Sequence, residues 1–361
     1  MMLKHLLAIP TALALCAQTP PVNSESPLAR KTFQQVLEAV GSGWFGKPYQ
    51  AINAVDLQGT MGITLTPQAI NAKVDQLSQG EIKGELTKGG VVNLKLKGTY
   101  FANSDFRTEL AGDFGTLLYT RVSNRGFLYS KEQNAYTTKV DPPPADAPLS
   151  YMGWFRQVLN DIKAVYVDGN TFKASMAKDD ALGGKNFQTV TFVTPTSSYD
   201  PKKREQSLAE SLGFWKRGRL EITFEKASKL PQRMLFSNEA QGVSTRMEFS
   251  YGGDGRLQSV NVDNQSRGAQ GPASLRLTYG GDGLINHITG TLNSQRQNIT
   301  FDMGLTWNKG KKTSSIISVP PPGAAKKGGD EMKTLLAVGL AGRILDLQRK
   351  GLNLRSVTLA N

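Results

Sequence analysis

The apolar residues between positions 33 and 40 have the spacing of a helix. One face is formed by residues at i, i+3, i+4 and i+7: Phe33, Val36, Leu37 and Val40. Ser26 is a suitable N-cap for this helix, and Pro27 suits its first turn. Gly41 is expected to end it, because glycine adopts the left-handed conformation that closes many helices.

From about residue 51 the apolar period changes to two, which is the spacing of a half-buried strand. Leu94 and Leu96, for example, alternate with Lys95 and Lys97. Turn residues separate the strands, as in an antiparallel meander. The predicted strands are 51–65, 82–86, 91–100, 106–111, 116–122, 126–131, 136–140, 171–176, 186–193, 220–225, 233–238, 244–251, 257–262, 275–279, 284–291 and 297–308.

Further helices are predicted between and after these strands. A helix behind Ser150 would carry a wide apolar stripe: Tyr151, Trp154, Phe155, Val158, Leu159 and Ile162. Residues 200–213 favour a charged, exposed helix, and residues 330–350 favour a last amphipathic one. The fold class predicted is mainly β with α (α+β): a large curved antiparallel sheet, or open half-barrel, covered by amphipathic helices.

The N-terminus has the pattern of a signal peptide. Lys4 precedes an apolar stretch that is too short to span a bilayer. Cleavage after Ala17 or after Ala14 fits the small residues there. A third alternative is lipidation of Cys16, because residues 13–16 resemble a lipobox, although Leu15 stands where a small residue is usual. Export to the periplasm is therefore expected, with an anchor on Cys16 as one form of it.

The domain organisation follows from these segments. We expect a signal peptide at 1–17, a tether at 18–25 and one β domain at 26–319, in which the hairpins after Ser250 are additions. A linker rich in proline, glycine and lysine would occupy 320–330, and an amphipathic helix and tail would occupy 331–361.

Charge and residue inventory limit the function. The net charge of +13 favours an anionic partner such as a membrane surface, whereas an exported protein rarely meets nucleic acid. Cys16 is the single cysteine, and His287 is the one histidine outside the leader. The sequence contains neither the Gly-x-Ser-x-Gly motif of a serine hydrolase nor the usual zinc ligands, so we predict no enzyme, no cofactor and no metal site. Paired carboxylates for glycoside cleavage stay open, although no pair stands out.

One near-repeat, Tyr-Gly-Gly-Asp-Gly, occurs at residues 251–255 and again at 279–283. Asp-Gly is a strong hairpin signal, because the central residues of the tight turn need positive φ. Calcium binding by glycine- and aspartate-rich arrays is the alternative, but it requires tandem copies. We therefore interpret both copies as turns.

The remaining candidate chemistry is apolar. A curved sheet that helices only partly fill leaves a groove, and such a groove binds acyl chains at about 0.8 kcal/mol per buried methylene. A filled core is the alternative for every aromatic residue. The groove candidates are Phe106, Leu110, Tyr119, Phe127, Tyr129, Trp154, Phe155 and Phe224.

Several stretches resemble the LolA/LolB-type lipoprotein-sorting family. They are the first helix with the strand after it, the meander through residues 106–110, 119–121 and 127–129, and the strand pair at 219–224 and 230–234. The resemblance covers about residues 26 to 260 and implies an open, barrel-like sheet covered by helices. It also implies transfer of lipid or acylated lipoprotein through the bacterial envelope.

Two hypotheses of function follow. The first is an exported protein that binds lipid or lipoprotein acyl chains in an apolar groove and carries them across the periplasm. The alternative is a structural or interaction protein of the envelope, with a filled β core and a surface for a partner protein.

Overall fold

The structure is a computed structural model. It describes residues 25–44, 49, 51–66, 82–86, 90–103, 105–112, 115–123, 125–138, 159–169, 171–177, 180–182, 185–193, 202, 218–238, 243–264, 272–293, 297–316, 318–332, 335 and 354–359. The predicted leader, the tether up to residue 24 and most of the two helices predicted at 200–213 and 330–350 lie outside these residues.

Helix α1 spans Pro27–Trp44 and buries the apolar face that the sequence predicts. The Ala29 N–H donates to the Ser26 hydroxyl at 3.3 Å, which confirms Ser26 as the N-cap. The expected end at Gly41 is wrong, because the helix continues for three more residues. A Cβ on Gly41 would lie 3.5 Å from Leu159. Gly41 therefore lies on the side of α1 that faces residues 159–166, the described part of the second predicted helix.

The described residues contain nineteen strands, of which sixteen overlap the sixteen strands predicted from the sequence. Their bounds are β1 Ala54–Leu65, β2 Ile82–Leu86, β3 Gly90–Phe101, β4 Phe106–Gly112, β5 Gly115–Val122, β6 Arg125–Ser130, β7 Ala135–Thr137, β8 Lys173–Met176, β9 Asp180–Leu182, β10 Lys185–Val193, β11 Arg219–Glu225, β12 Pro231–Asn238, β13 Val243–Tyr251, β14 Leu257–Asn264, β15 Ala273–Tyr279, β16 Ile285–Asn293, β17 Gln297–Asn308, β18 Ala325–Lys326 and β19 Leu354–Leu359.

Seventeen of these strands form one sheet. Strands β8 and β9 pair with β10, each strand from β10 to β17 pairs with the next, β17 pairs with β1, and β1 pairs with β3. Strands β3 to β7 continue the meander, and all these pairs are antiparallel. Strand β18 adds to β7 in parallel, and β2 with β19 forms a separate antiparallel pair. The predicted large antiparallel sheet with few helices is confirmed.

From β11 to β17, one face of the sheet is mainly apolar and the other mainly polar. Directly opposed residues of antiparallel strands project to the same side, so each row of paired positions belongs to one face. One row of paired positions crosses eight strands, β11 to β17 and then β1, and every member is apolar. We call it the apolar row: Ile222, Met234, Met247, Val262, Ala273, Leu292, Ile299 and Ile63. The neighbouring row on the other face is polar over the seven strands β11 to β17: Thr223, Arg233, Glu248, Asn261, Ser274, Thr291 and Thr300.

Two clusters of buried side chains lie on the apolar face. The first packs α1 and residues 159–166 against β8 and β10 to β12, with Phe33, Phe192 and Phe224 each at most 2% exposed. The second lies over the first half of β1 and over parts of β13 to β17, around Tyr49 and Leu305. The clusters meet at three half-buried side chains that pack against both of them: Trp44, Met234 and Met247.

Tyr49 ties the second cluster to the sheet. The Ile285 N–H donates to the Tyr49 hydroxyl at 2.9 Å, and the Trp307 indole donates to the Ile285 carbonyl at 2.5 Å. The two rings meet edge to face with centroids 5.1 Å apart. Burial raises the pKa of Tyr49 above its ordinary value, so the hydroxyl stays protonated at neutral pH.

The repeated Gly-Gly-Asp-Gly segments are hairpin turns, as predicted, but of another type than expected. Gly255 and Gly283 have φ of +77° and +78°, and each is followed by a register shift in its hairpin. The Asp254 carboxylate accepts the Arg256 N–H at 3.1 Å, which fixes the turn before the glycine. Only the last glycine needs positive φ, because a turn followed by a bulge replaces the two-residue loop.

The chain after β17 is anchored to the polar face. The Asp56 carboxylate accepts hydrogen bonds from Lys311, Thr99 and Asn308. Burial raises the pKa of this carboxyl, but the hydrogen bonds from Lys311 and Thr99 outweigh it, so the pKa lies below its ordinary value. Ile316 then packs with Ala54 and Phe101. Strand β18 belongs to the segment 320–330 that we expect to be a linker, and the domain boundaries stay a prediction.

Candidate functional site

The candidate site is the part of the apolar row that α1 leaves open. At one end of the row Ile222 is 1% exposed beneath the first cluster, whereas Leu292 farther along is 48% exposed. Val262, Ala273, Ile299 and Ile63 are half-buried, and so are Phe301 and Met61 in the next row of the same face. We call this surface the open apolar site. It lies over β14 to β17 and β1.

Its chemistry follows from the strand register. Side chains alternate between the faces of a strand, so Thr289 and Thr291 of β16 and Thr300 of β17 point away from the site. The apolar row contains no charged side chain and no hydrogen-bonding side chain other than weak thioether acceptors. The surface can therefore accept a hydrocarbon, and it offers no partner to a buried polar group.

Three of the sequence candidates lie on the same face as the open apolar site. Phe106 stacks on Tyr100 with centroids 5.9 Å apart, and it meets Tyr119 edge to face at 4.8 Å. Leu110 on β4 is opposite Leu96 on β3, and both are half-buried. These residues continue the apolar face across β3 to β5, beyond β1.

The other candidates are not brought together with these. Phe224 is fully buried in the first cluster, where the Lys229 ammonium lies 5.4 Å from the centre of its ring. Phe127 and Tyr129 are opposite Thr120 and Leu118 and therefore lie on the other face of the sheet. Trp154, Phe155 and Cys16 lie outside the described residues. The eight candidates thus do not form one groove among the residues that the structure describes.

Sequence reasoning missed the residues at the centre of the open apolar site. Val262, Ile299 and Ile63 are ordinary aliphatic positions of predicted strands, and Leu292 directly follows the predicted strand 284–291. A signal was present, because each lies on the apolar side of an alternating strand. Only the pairing register shows that these positions form one row.

A concavity lies on the polar face over β16, β17, β1, β3 and β4, with a volume of about 1110 Å³. His287 and Asp302 lie in it with Nε2 and Oδ1 2.9 Å apart, and both are well exposed. Opposite charges balance along its lining: Lys95, Lys97 and Lys311 against Asp56, Glu109 and Asp302. This concavity therefore presents no net charge that would select an anion.

The described residues contain no group of three or more histidine, cysteine or acidic side chains placed to hold a metal ion. Within the same ranges, no helix combines the length and the apolar character needed to cross a membrane.

Comparison with known proteins gives structural similarities only. No protein-family model matches the sequence, and no curated protein matches it either. A domain from Vibrio parahaemolyticus, named for outer membrane lipoprotein sorting, is 10% identical; the match covers 80% of this chain and 96% of that one, with a TM-score of 0.27. A LolA superfamily protein from Nitrosomonas europaea is 8% identical over 76% and 93%, with a TM-score of 0.21. The Mycobacterium tuberculosis lipoprotein LppX is 8% identical over 80% and 99%, with a TM-score of 0.23.

The chain is thus similar to solved structures that include a member of the family its sequence resembles. With identities near 10% and TM-scores below 0.5, these similarities carry no weight for what this chain binds.

Proposed function

We propose that this protein binds the acyl chain of a lipid or an acylated lipoprotein on the open apolar site. The observation that carries this proposal is the apolar row, which passes without a polar interruption from the buried core at Ile222 to Leu292, which is 48% exposed. An apolar patch that continues a core and remains open to solvent is the expected surface for a hydrocarbon ligand.

Burial of the acyl chain supplies the favourable free energy of binding. Each buried methylene contributes about 0.8 kcal/mol, so about ten methylenes contribute about 8 kcal/mol before the costs of ordering are subtracted. No catalytic group is needed for this binding.

The leader gives the proposal its location. We infer that the protein is exported and works in the periplasm, either free after cleavage or anchored through Cys16. There it would carry acyl chains between membranes. The excess of basic residues would favour contact with anionic membrane surfaces.

The test is binding of a fluorescent long-chain fatty acyl probe to the full-length protein. Ile299→Lys places an ammonium in the open apolar site and is expected to weaken probe binding about tenfold or more. Leu292→Lys should act in the same direction with little cost to stability, because position 292 is already half exposed.

The matched control is Asn298→Lys, which adds the same charge one residue away on the exposed polar face. It should bind the probe within about twofold of the unmodified protein. Equal loss in the control and in Ile299→Lys, or no probe binding by the unmodified protein, would contradict the proposal. The second result would favour an envelope interaction protein with a filled core.

A further inference from the structure

We propose that Met247 and Met234 form the inner end of the acyl site and thereby limit the length of the acyl chain that it accepts. This inference rests on the proposed function and assigns to these two residues the selection of the ligand.

The two methionines are continuous with the open apolar site. Met247 is opposite Val262 and Met234 is opposite Met247, so both belong to the apolar row that contains Leu292 and Ile63. Five strand-to-strand steps separate Ile63 from Met247, which gives about 24 Å at the usual strand spacing. That is the length of an extended long-chain acyl group rather than a short one.

The apolar row becomes closed directly beyond the two methionines. Beyond Met234 the next member is Ile222, which is 1% exposed and packed in the first cluster. A chain that follows the row from β1 therefore meets closed packing under α1. Met234 and Met247 are half-buried and are the last members before that closure.

The chemistry of methionine suits the inner end of the site. Both side chains pack against the two clusters at once, so they fill the boundary between two separately packed cores. Methionine is unbranched and has three rotatable bonds, so it can change rotamer to admit or exclude a terminal methyl group. Branched residues at the same place would give a fixed wall.

The orientation of the ligand follows. The inner end is apolar, and desolvating a headgroup there without a hydrogen-bond partner would be costly. The terminal methyl therefore lies at Met247, and the polar headgroup remains on the β1 side of the open apolar site.

The experiment measures affinity for saturated fatty acids of increasing length. In the unmodified protein the affinity is expected to rise about fourfold for each methylene until the chain reaches the methionines. Met247→Trp fills the inner end and should weaken binding of chains of about 16 carbons or more at least tenfold. It should leave chains of about 10 carbons within twofold. Met247→Leu, which conserves volume, should keep the full length profile.

A second measurement avoids any change at the methionines. Trp44 packs against the same two clusters, so its fluorescence reports on the inner end. Stearate with a nitroxide quencher near its methyl end should quench the fluorescence of Trp44 more than stearate with the same quencher near its carboxylate. The contribution of Trp44 is obtained by subtracting the fluorescence of Trp44→Phe from that of the unmodified protein.

The two proposals fail differently. If no fatty acid binds, the proposed function is wrong. If fatty acids bind but Met247→Trp weakens all lengths equally, or the quencher near the carboxylate is the stronger one, then the acyl site exists and the methionines do not form its inner end.

Discussion

Replacing Arg30 by methionine is expected to lower the free energy of unfolding by about 3 kcal/mol, since hydrogen bonds to a charged group contribute about 1.5 to 3 kcal/mol each. The Arg30 guanidinium lies between α1 and the end of helix 159–166. It donates to the carbonyls of Tyr166 at 2.7 Å, Gly169 at 2.6 Å and Phe172 at 2.5 Å. It also pairs with Glu25 at 2.6 Å and is only 14% exposed. Methionine would keep much of the packing but leave these carbonyls without their donor.

Denaturant unfolding of the full chain measures this effect. Lys31→Met is the matched control, because Lys31 is the next residue on α1 and is exposed. It should change the free energy of unfolding by no more than about 0.5 kcal/mol. Arg30→Lys should fall between the two, since an ammonium cannot reproduce the fork of donors. A result for Arg30→Met equal to that for Lys31→Met would contradict this role of Arg30.

Gly59→Ala is expected to destabilise the protein by about 3 kcal/mol or more, at the upper end of the cost of overpacking. Gly59 lies in β1 on the apolar face, opposite Met303 in β17. A methyl group there would overlap the backbone oxygen of Asp302 and lie 2.6 Å from the Met303 sulfur and 2.8 Å from its Cα. Backbone atoms cannot move aside without separating β1 from β17. These two strands form one side of the open apolar site.

Gly304→Ala provides the comparison. Gly304 lies in β17 opposite Gln58, and its added methyl would come no nearer than 3.5 Å to the Gln58 carbonyl oxygen. Alanine there should leave the stability within about 1 kcal/mol, because ordinary contact replaces empty space and alanine loses less entropy than glycine. If both substitutions cost the same in thermal or denaturant unfolding, close packing at Gly59 is not the reason for its glycine.

The strands were predictable because their alternation is strong and local. β2 and β17 have the predicted bounds, and most other strands differ by one to three residues. Gly41 shows the limit of such signals. It resembles a helix end in sequence, yet the helix continues to Trp44 and Gly41 lies beside Leu159, far away in the chain. A distant contact of this kind leaves no trace in local sequence.

The candidate site was predictable only in kind. An apolar surface on a curved sheet follows from the pattern, but the choice of aromatic residues joined side chains from both faces. Phe106 lies in β4 and Phe127 in β6. Only the pairing register of both strands with β5 shows that the two side chains are on opposite faces of the sheet. Because a one-residue shift of register reverses the face of every side chain, the composition of the site depends on pairing that sequence alone does not give.

The most direct test of acyl binding is native mass spectrometry of the full-length protein purified from the envelope of the cells that produce it. The acyl-binding account predicts a population heavier than the polypeptide by the mass of a lipid or of an acylated lipoprotein. Organic extraction should remove that lipid. The heavier population should be strongly reduced in Ile299→Lys but not in Asn298→Lys. A single species at the mass of the processed polypeptide, with clean organic extracts, would contradict the account.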